Sequence, residues 1–537
     1  MVRREAIARS SVKTEVLEAP AAENSADARI SDSKLKSVRS SSILSSSILS
    51  SSVLSSRLLI WLGLTCMFAA MPVFFIKHAH LADPDIWWHM RTGEWMVQNH
   101  QIPHTDPFSA STLGRPWVDY CWLFDVGSYW IISRFDLVSI IWFETLMRLV
   151  TAGAMFRLLR LLMPGFWRSA VLTTIAMLGM AWVFPPRPGA ISVFFFVVEL
   201  YVFFLAQRRS NPRLLWILPV LLCLWANIHI EFVTGLFLLG VLCLEPYLDA
   251  LVQNRLQMRL PALDVFHRQL WLAFAASLVA VMVNPYGPKL LGTVFQYARD
   301  TRIYDVIIEF QAMHFRSMND WAVLFLVMLG CFAMGRMRPF RPAWVLLMAW
   351  AAWMSFRSLR EVWLVAILSL VCIGLAQGEE EPAAEPNAPF GTAMRLAVAG
   401  AVFVALLTGT TIWPLSSQKL LKQVAEVYPL GAVNYIHANH LQGPLLNELS
   451  WGGFLIYSVP DIPVSMDGRT NVHTQDEILR AMPLWDGDAG WQSNPDLAKA
   501  NLVITSHVWP LAVLLRTDPR FRIAYEDNTA VLFEAVH

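Results

Sequence analysis

An acidic pair, Asp83 and Asp85, stands in the sequence ADPDIWWHMRTGEW, directly after the first long apolar segment of the chain. Carboxylates can accept a proton from an attacking hydroxyl group or hold a divalent cation. Further ionisable side chains follow within residues 78–119, namely His89, Arg91, Glu94 and Asp106. Because charges so close to an apolar segment are costly, we expect this cluster to have a chemical role.

The same acids also have a purely structural interpretation. Asp83 and Asp85 can cap a helix that starts at Ile86, since acidic residues favour helix N-termini. Capping does not exclude catalysis, so both interpretations stay open. Trp87 and Trp88 are interpreted as membrane-interface anchors, with sugar stacking as the alternative.

Composition assigns the chain to the polytopic membrane proteins. Of 537 residues, 55% are hydrophobic and 15% charged, and the mean hydropathy is +0.45. The net charge of +1 gives no indication of nucleic-acid binding. The cysteines lie singly within or beside apolar segments, which predicts neither a disulfide framework nor a zinc site. The serine-rich residues 1–56 are predicted to be disordered.

Apolar windows of helix length predict about eleven membrane spans. They lie near 57–76, 137–156, 168–184, 189–206, 213–230, 232–248, 269–284, 320–334, 342–356, 361–376 and 393–414. A further candidate, 121–133, contains Asp125 and is interpreted as an amphipathic helix at the membrane surface. If it crossed the membrane, the orientation of every later span would reverse.

Arginine-rich loops recur after every second predicted span, around Arg157, Arg208, Arg255 and Arg336. The positive-inside rule makes these loops cytoplasmic. We therefore predict that the protein lies in the inner (cytoplasmic) membrane, with its N-terminus inside and its C-terminal domain outside.

The outer face then collects polar residues that need a reason to be there. Beside the acidic pair these are Arg187, His229, Glu231, Arg357 and Arg360. The planar fork of arginine fits phosphate oxygens, which makes the arginines candidate phosphate ligands. Snorkelling of Arg360, or a structural hydrogen bond of His229, is the alternative.

Residues 416–537 have the composition of a soluble domain and are predicted to form a small α/β unit. The segments PLLNE, IPVSMD, NLVITS and RIAYED are typical of short strands, with helical segments between them, which favours a partly parallel sheet. Asp467, Gly468 and Arg469 follow a predicted strand, where open α/β sheets bind ligands. A turn held by an Asp–Arg contact is the preferred interpretation.

Several motifs, taken in this order, resemble one family. They are ADPDIWWHMRTGEWM with IPHTDPFS, then WANIH, NPYG, SLREVW and LSWGGFLIYSVPDIPVSMDGR. Together they resemble bacterial GT-C superfamily glycosyltransferases, in the group related to protein mannosyltransferases and aminoarabinose transferases. The resemblance covers about 57–537 and implies a GT-C-like transmembrane domain at 57–415, with a first extracytoplasmic loop at 78–136. The extracytoplasmic α/β domain follows at 416–537.

The resemblance implies an inverting transferase that moves a sugar from a polyprenyl-phosphate donor to an envelope glycan, lipid or protein. It implies that Asp83 or Asp85 is the catalytic acid–base residue and that a divalent metal, Mg²⁺ or Mn²⁺, can bind this pair. The candidate substrate-binding residues are His89, Arg91, Asp106, Arg187, His229, Glu231, Arg357 and Arg360, of which the resemblance implies that Arg187, Arg357 or Arg360 stabilises the leaving phosphate. The lysine-proline signature of aminoarabinose transferases is absent, with GRPW in a comparable region. A transporter or lipid-binding protein, and a non-catalytic scaffold, are the alternatives.

Overall fold

The computed structural model describes residues 83–253, 262–299, 302, 307–378 and 416–536. The serine-rich start and the expected spans at 57–76 and 393–414 lie outside these residues. The described part is mostly helical.

Long apolar runs form helices throughout the described part of residues 83–378. In chain order these are α1 (Asp85–Asn99), α2 (Trp122–Phe135), α3 (Val138–Leu162), α4 (Phe166–Gly179), α5 (Gly189–Arg208), α6 (Ile217–Ala226), α7 (Phe232–Gln253), α8 (Val265–Ala280), α9 (Lys289–Arg299), α10 (Met318–Arg336), α11 (Pro342–Arg357) and α12 (Val362–Gly378). Short 3₁₀ turns at Ile308–Phe310 and Leu359–Glu361 lie between the later helices.

Five described helices are long and apolar enough to cross a membrane, namely α3, α5, α7, α10 and the helix that includes α12. Helices α4, α6 and α8 are apolar but shorter. Each expected window between 137 and 376 overlaps one of the described helices. The chain is thus a multi-pass membrane protein, and the total of about eleven spans remains a prediction.

Helix α2 differs from the amphipathic surface helix that the sequence predicts. Its polar residue Asp125 is fully buried against α1, whereas the apolar Trp130 is 53% exposed. The buried carboxyl finds a hydrogen-bond partner in His89 of α1, which explains why it points inward. Whether α2 crosses the membrane remains a prediction.

The C-terminal residues combine short helices with one small sheet. The helices are α13 (Ser417–Val427), α14 (Leu430–Ala438), α15 (Leu449–Ser458), α16 (Gln475–Trp485), α17 (Pro495–Lys499) and α18 (Pro510–Leu515), and the strands are β1 (Leu445–Asn447), β2 (Leu502–Ser506), β3 (Phe521–Glu526) and β4 (Ala530–Ala535). The strand order is β1-β2-β4-β3, with β1 parallel to β2 and the other pairs antiparallel. The segment IPVSMD forms only isolated bridges, in which Val464 pairs with Leu445 and with Ser109 of the first loop.

Helix α1 packs against the C-terminal residues rather than standing free at a membrane interface. Trp87 is 2% exposed, and its ring lies 5.2 Å from Phe454 and 5.7 Å from Tyr428. The interpretation of Trp87 as an interface anchor is therefore wrong, because the C-terminal helices bury its ring. This packing holds the start of α1 against the loop after Val464.

Candidate functional site

At the start of α1, both members of the acidic pair contact the guanidinium of Arg187. Arg187 Nε lies 2.6 Å from Asp83 Oδ2, and its Nη1 lies 3.0 Å from Asp85 Oδ2. Nη1 also donates to both carboxylate oxygens of Glu309 at 2.8 Å. We call these four residues the Arg187 cluster. The prolines on both sides of Arg187 restrict the backbone directly before α5. This restriction fixes the position from which the Arg187 side chain extends.

Asp83 makes both a local backbone hydrogen bond and a contact with Arg187. Its Oδ1 accepts the backbone N–H of Asp85 at 2.9 Å, while its Oδ2 binds Arg187. Asp85 accepts from Trp88 Nε1 at 3.1 Å. Burial raises the pKa of Asp85 to about 6; Arg187 opposes this shift, whereas Asp83 and Glu309 add to it. Three carboxyl groups around one guanidinium leave excess negative charge, which favours a proton on Asp85 near that pH.

A second cluster forms around Arg360, at the turn before α12. Its Nη2 lies 3.1 Å from His229 Nε2, and its Nε lies 3.5 Å from Glu231 Oε1. The other ring nitrogen of His229 lies 2.8 Å from Ser192 Oγ. We call these four residues the Arg360 cluster. The Arg360 side chain is 30% exposed, and Glu231 is the carboxylate that forms an ion pair with it among the described residues.

The two clusters are neighbours because short segments connect them. The guanidinium of Arg360 lies 5.6 Å from the ring of Phe310, the residue directly after Glu309. A Cβ at Gly189, two residues after Arg187, would lie 3.7 Å from His229 Cε1. The Arg187 and Arg360 clusters therefore form one polar region, in which the first contributes most of the negative charge.

His89 lies behind the acidic pair, in contact with Asp125 of α2. Its Nδ1 lies 2.6 Å from Asp125 Oδ1, and its ring centroid lies 3.6 Å from that of Trp88. Burial lowers the pKa of His89 well below its usual value, and Arg187 and His229 add to the shift. Burial, together with Asp119, raises the pKa of Asp125. Both shifts favour the uncharged forms, and the two side chains share one hydrogen bond beneath Trp88.

A third, fully buried cluster connects the first loop to the C-terminal residues. Arg469 Nη1 donates to Asp106 Oδ1 at 2.8 Å, and Nη2 donates to Asp467 Oδ2 at 2.7 Å and to Ser109 at 3.0 Å. His473 Nε2 lies 3.1 Å from Asp467. These five residues form the Arg469 cluster. Burial alone would raise the pKa of Asp467, but Arg469 and His473 hold it well below its usual range.

The Arg469 cluster places a glycine directly against the acidic pair. A Cβ at Gly468 would lie 2.5 Å from Asp85 Oδ1, closer than a carbon can approach without a shift. The DGR turn of the C-terminal residues thus forms one wall of the Arg187 cluster. Its Asp–Arg contact agrees with the interpretation preferred from the sequence, and the sequence did not predict the approach to Asp85.

Three predicted ligands lie elsewhere. Asp106 belongs to the Arg469 cluster and is 1% exposed. Arg91 pairs with Glu94 on its own helix at 2.6 Å, and Arg357 stacks on Trp353 at 4.7 Å. In each case a nearby partner in the fold holds the side chain. Sequence reasoning did not select Glu309 as a site residue, although the loop after NPYG, on the predicted outer face, was the available signal.

A divalent metal on Asp83 and Asp85 does not fit this arrangement. Both carboxylates lie within 3.0 Å of the Arg187 guanidinium, whose positive charge opposes a cation at the same place. Among the described residues, no group of three or more His, Cys, Asp or Glu side chains could hold a metal ion. The chemistry below therefore rests on side chains alone.

An apolar cavity of about 170 Å³ adjoins the polar region. Its wall includes Ile86, Pro186 and Ile228, each one residue away from Asp85, Arg187 and His229 in the chain. The rest of the wall comes from α2, α3 and α5, and contains Leu123, Phe124, Gly127, Ser128, Ile131, Ile132, Ser139, Ile140, Phe143 and Ile191. An apolar space thus lies beside a charged one.

No family model and no curated protein matches this sequence. Solved structures do match. One is the oligosaccharyltransferase of Archaeoglobus fulgidus, tethered to an acceptor peptide that contains the NVT sequon, with 11% identity and a TM-score of 0.50 over 83% of this chain and 69% of that chain. Another is the Archaeoglobus fulgidus oligosaccharyltransferase AglB with an inhibitory peptide and a dolichol-phosphate, with 12% identity and a TM-score of 0.47 over the same shares. At such low identity the first likeness establishes the fold alone, and that fold is the one that the sequence motifs predicted. The chain has the fold of this oligosaccharyltransferase.

Proposed function

We propose that this protein is a glycosyltransferase that moves a sugar from a polyprenyl-phosphate donor to a cell-envelope acceptor on the extracytoplasmic face. The observation that carries the proposal is the junction between the apolar cavity and the two arginine clusters. A polyprenyl phosphate has the same two parts, an apolar chain and an anionic head. In this proposal the part of the apolar chain next to the phosphate lies against Ile86, Pro186 and Ile228, and the head lies beside the arginines.

The proposed roles follow from charge. The Arg360 side chain is 30% exposed and, among the described residues, forms an ion pair with Glu231 at 3.5 Å. It therefore suits the donor phosphate better than Arg187, which contacts three carboxylates at 2.6–3.0 Å. Asp85 is the proposed base, because its pKa near 6 leaves it ionised at neutral pH yet basic enough to accept a proton. Arg187 and Asp83 hold it in place.

The proposed reaction is a single displacement. The acceptor hydroxyl oxygen attacks the anomeric carbon, the bond from that carbon to the phosphate oxygen breaks, and the hydroxyl proton passes to Asp85. The polyprenyl phosphate leaves with the bonding electrons, and Arg360 stabilises the charge that develops on it. Attack from the face opposite the leaving group inverts the anomeric centre.

A deletion strain of the source organism tests this function by mass spectrometry of lipid-linked sugars and envelope glycans. We expect one polyprenyl-phosphate sugar to accumulate and one envelope modification to disappear. Wild-type protein and Asp461→Asn, a matched change at an exposed acid, should reverse both changes, whereas Asp85→Asn should reverse neither. Full restoration by both Asp83→Asn and Asp85→Asn would contradict the catalytic assignment.

We also propose the predicted topology, with the C-terminal domain at 416–537 outside the inner membrane. Leu113→Cys and Ser493→Cys place thiols at exposed positions of the first loop and the C-terminal residues. A membrane-impermeant reagent should label both in intact cells. Arg209→Cys, in an arginine-rich loop, should be labelled only after lysis. The opposite pattern would reverse the topology.

A further inference from the structure

A second cavity, larger than the apolar one beside the candidate site, lies between α4, α10 and α12. Its volume is about 640 Å³, within the ~300–1,000 Å³ range of small-molecule sites. Two arginines line it, Arg168 from the first turn of α4 and Arg336 from the last turn of α10. The other lining side chains are apolar except for Gln377.

This cavity lies at the opposite end of the helices from the two arginine clusters. Helix α12 follows the turn that contains Arg360 and ends at Gly378, where a Cβ would lie 2.4 Å from the carbonyl oxygen of Leu162. Near that end, Arg168 Nη1 donates to Gln377 Oε1 at 3.4 Å. The 17 residues of α12 separate the two regions by about 25 Å at 1.5 Å per residue. The cavity is thus too far away to hold the reacting end of the donor.

Some of the apolar side chains that line this cavity are exposed at the surface of the helices. Phe332 is 66% exposed and Val171 is 48% exposed, whereas Leu172 and Ala333 deeper in the wall are buried. Helix α4 has 14 residues, about 21 Å, which is shorter than the ~30 Å hydrocarbon core of a bilayer. A short helix beside an open apolar wall leaves space that membrane lipid can fill.

We propose that this cavity binds an anionic membrane phospholipid, with its phosphate between Arg168 and Arg336 and an acyl chain along the apolar wall. Charge complementarity carries the choice, since basic pockets between transmembrane helices bind anionic head groups. A soluble anion would use the two guanidinium groups but would leave the apolar wall empty. The site is independent of the proposed transfer reaction.

Native mass spectrometry of the full chain tests the proposal with phosphatidylglycerol, phosphatidylcholine and inorganic phosphate as separate probes. We expect preferential retention of phosphatidylglycerol. Arg168→Ala and Arg336→Ala should each weaken it about fivefold, the equivalent of ~1 kcal/mol for one arginine at an anionic surface. Arg209→Ala, an exposed arginine that does not line the cavity, is the matched control and should change nothing.

A second variant separates the two parts of the site. Ala333→Trp fills the buried wall while both arginines stay in place, and it should displace the lipid. Because Arg168 and Arg336 are exposed, their variants test the proposal even if Ala333→Trp fails to fold. Equal retention of phosphatidylcholine, an unchanged affinity in the double arginine variant, or displacement of the lipid by inorganic phosphate would overturn the proposal.

Discussion

Replacement of Arg469 by Met should open the contact between the first loop and the C-terminal residues. The guanidinium is fully buried, as are the carboxylates of Asp106 and Asp467 that it pairs. Arg469→Met keeps much of the side-chain volume between Phe108 and Trp117, whose rings lie 5.1 and 4.7 Å from the guanidinium. It leaves two buried carboxylates without their arginine partner.

The magnitude follows from the burial. Loss of one partner from a buried ion pair costs about 3–5 kcal/mol. Hydrogen exchange should report this at Ala110, whose N–H donates to the carbonyl of Val464 across the contact at 2.7 Å. A loss of ~3–5 kcal/mol in opening free energy raises the exchange rate about 10²–10⁴-fold where exchange follows the opening equilibrium.

Arg115→Met is the matched control, because Arg115 joins the same two parts of the chain through Glu477 at 2.7 Å with about a third of its side chain exposed. An exposed pair contributes at most about 1 kcal/mol, so we expect less than about a fivefold change in exchange. Adding Asp106→Asn and Asp467→Asn to Arg469→Met should recover part of the protection by removing the unpaired charges. Equal exchange in Arg469→Met and Arg115→Met would refute the reasoning.

Three further predictions concern single positions. Burial raises the pKa of Asp85 to about 6, so this acid holds its proton below that pH. A transfer rate that needs its carboxylate should therefore fall about tenfold per pH unit below 6 and level off above 7. A pH–rate profile without this inflection would remove Asp85 as the base. Gly468→Ala places a Cβ 2.5 Å from Asp85 Oδ1, and a displacement near 1 Å should lower the maximal transfer rate about 100-fold. Gly153→Ala, whose Cβ meets nothing within 4 Å, is the matched control, and equal rates in both would show that the close approach is tolerated. Glu199→Met should raise the thermal unfolding temperature, because both carboxyl oxygens of Glu199 are buried without a hydrogen-bond partner; a lower temperature in differential scanning fluorimetry would show that the acid stabilises the fold.

The sequence by itself determined the class of the protein and the positions of its helices. Apolar windows between 137 and 376 each correspond to a described helix, because the cost of exposing backbone polar groups to lipid makes a helix the only solution for such a run. The motifs of the first loop predicted the GT-C fold, and Asp83, Asp85 and Arg187 were selected from their type and place alone. The apolar windows, the motifs and the residue types are local features, so each can be recognised within a single segment of the chain.

Tertiary structure decided which of these charged residues meet. Glu309 reaches Arg187 across 122 positions, and Asp106 pairs with Arg469 across 363 positions, although the first loop placed Asp106 close to the acidic pair in sequence. Asp125 made α2 look amphipathic, yet it points inward because His89 offers a buried partner. The spacing of apolar residues indicates which residues share a helix face, but not which helix packs against that face. The choice of ion-pair partners depends on those long-range contacts, and so did the composition of the site.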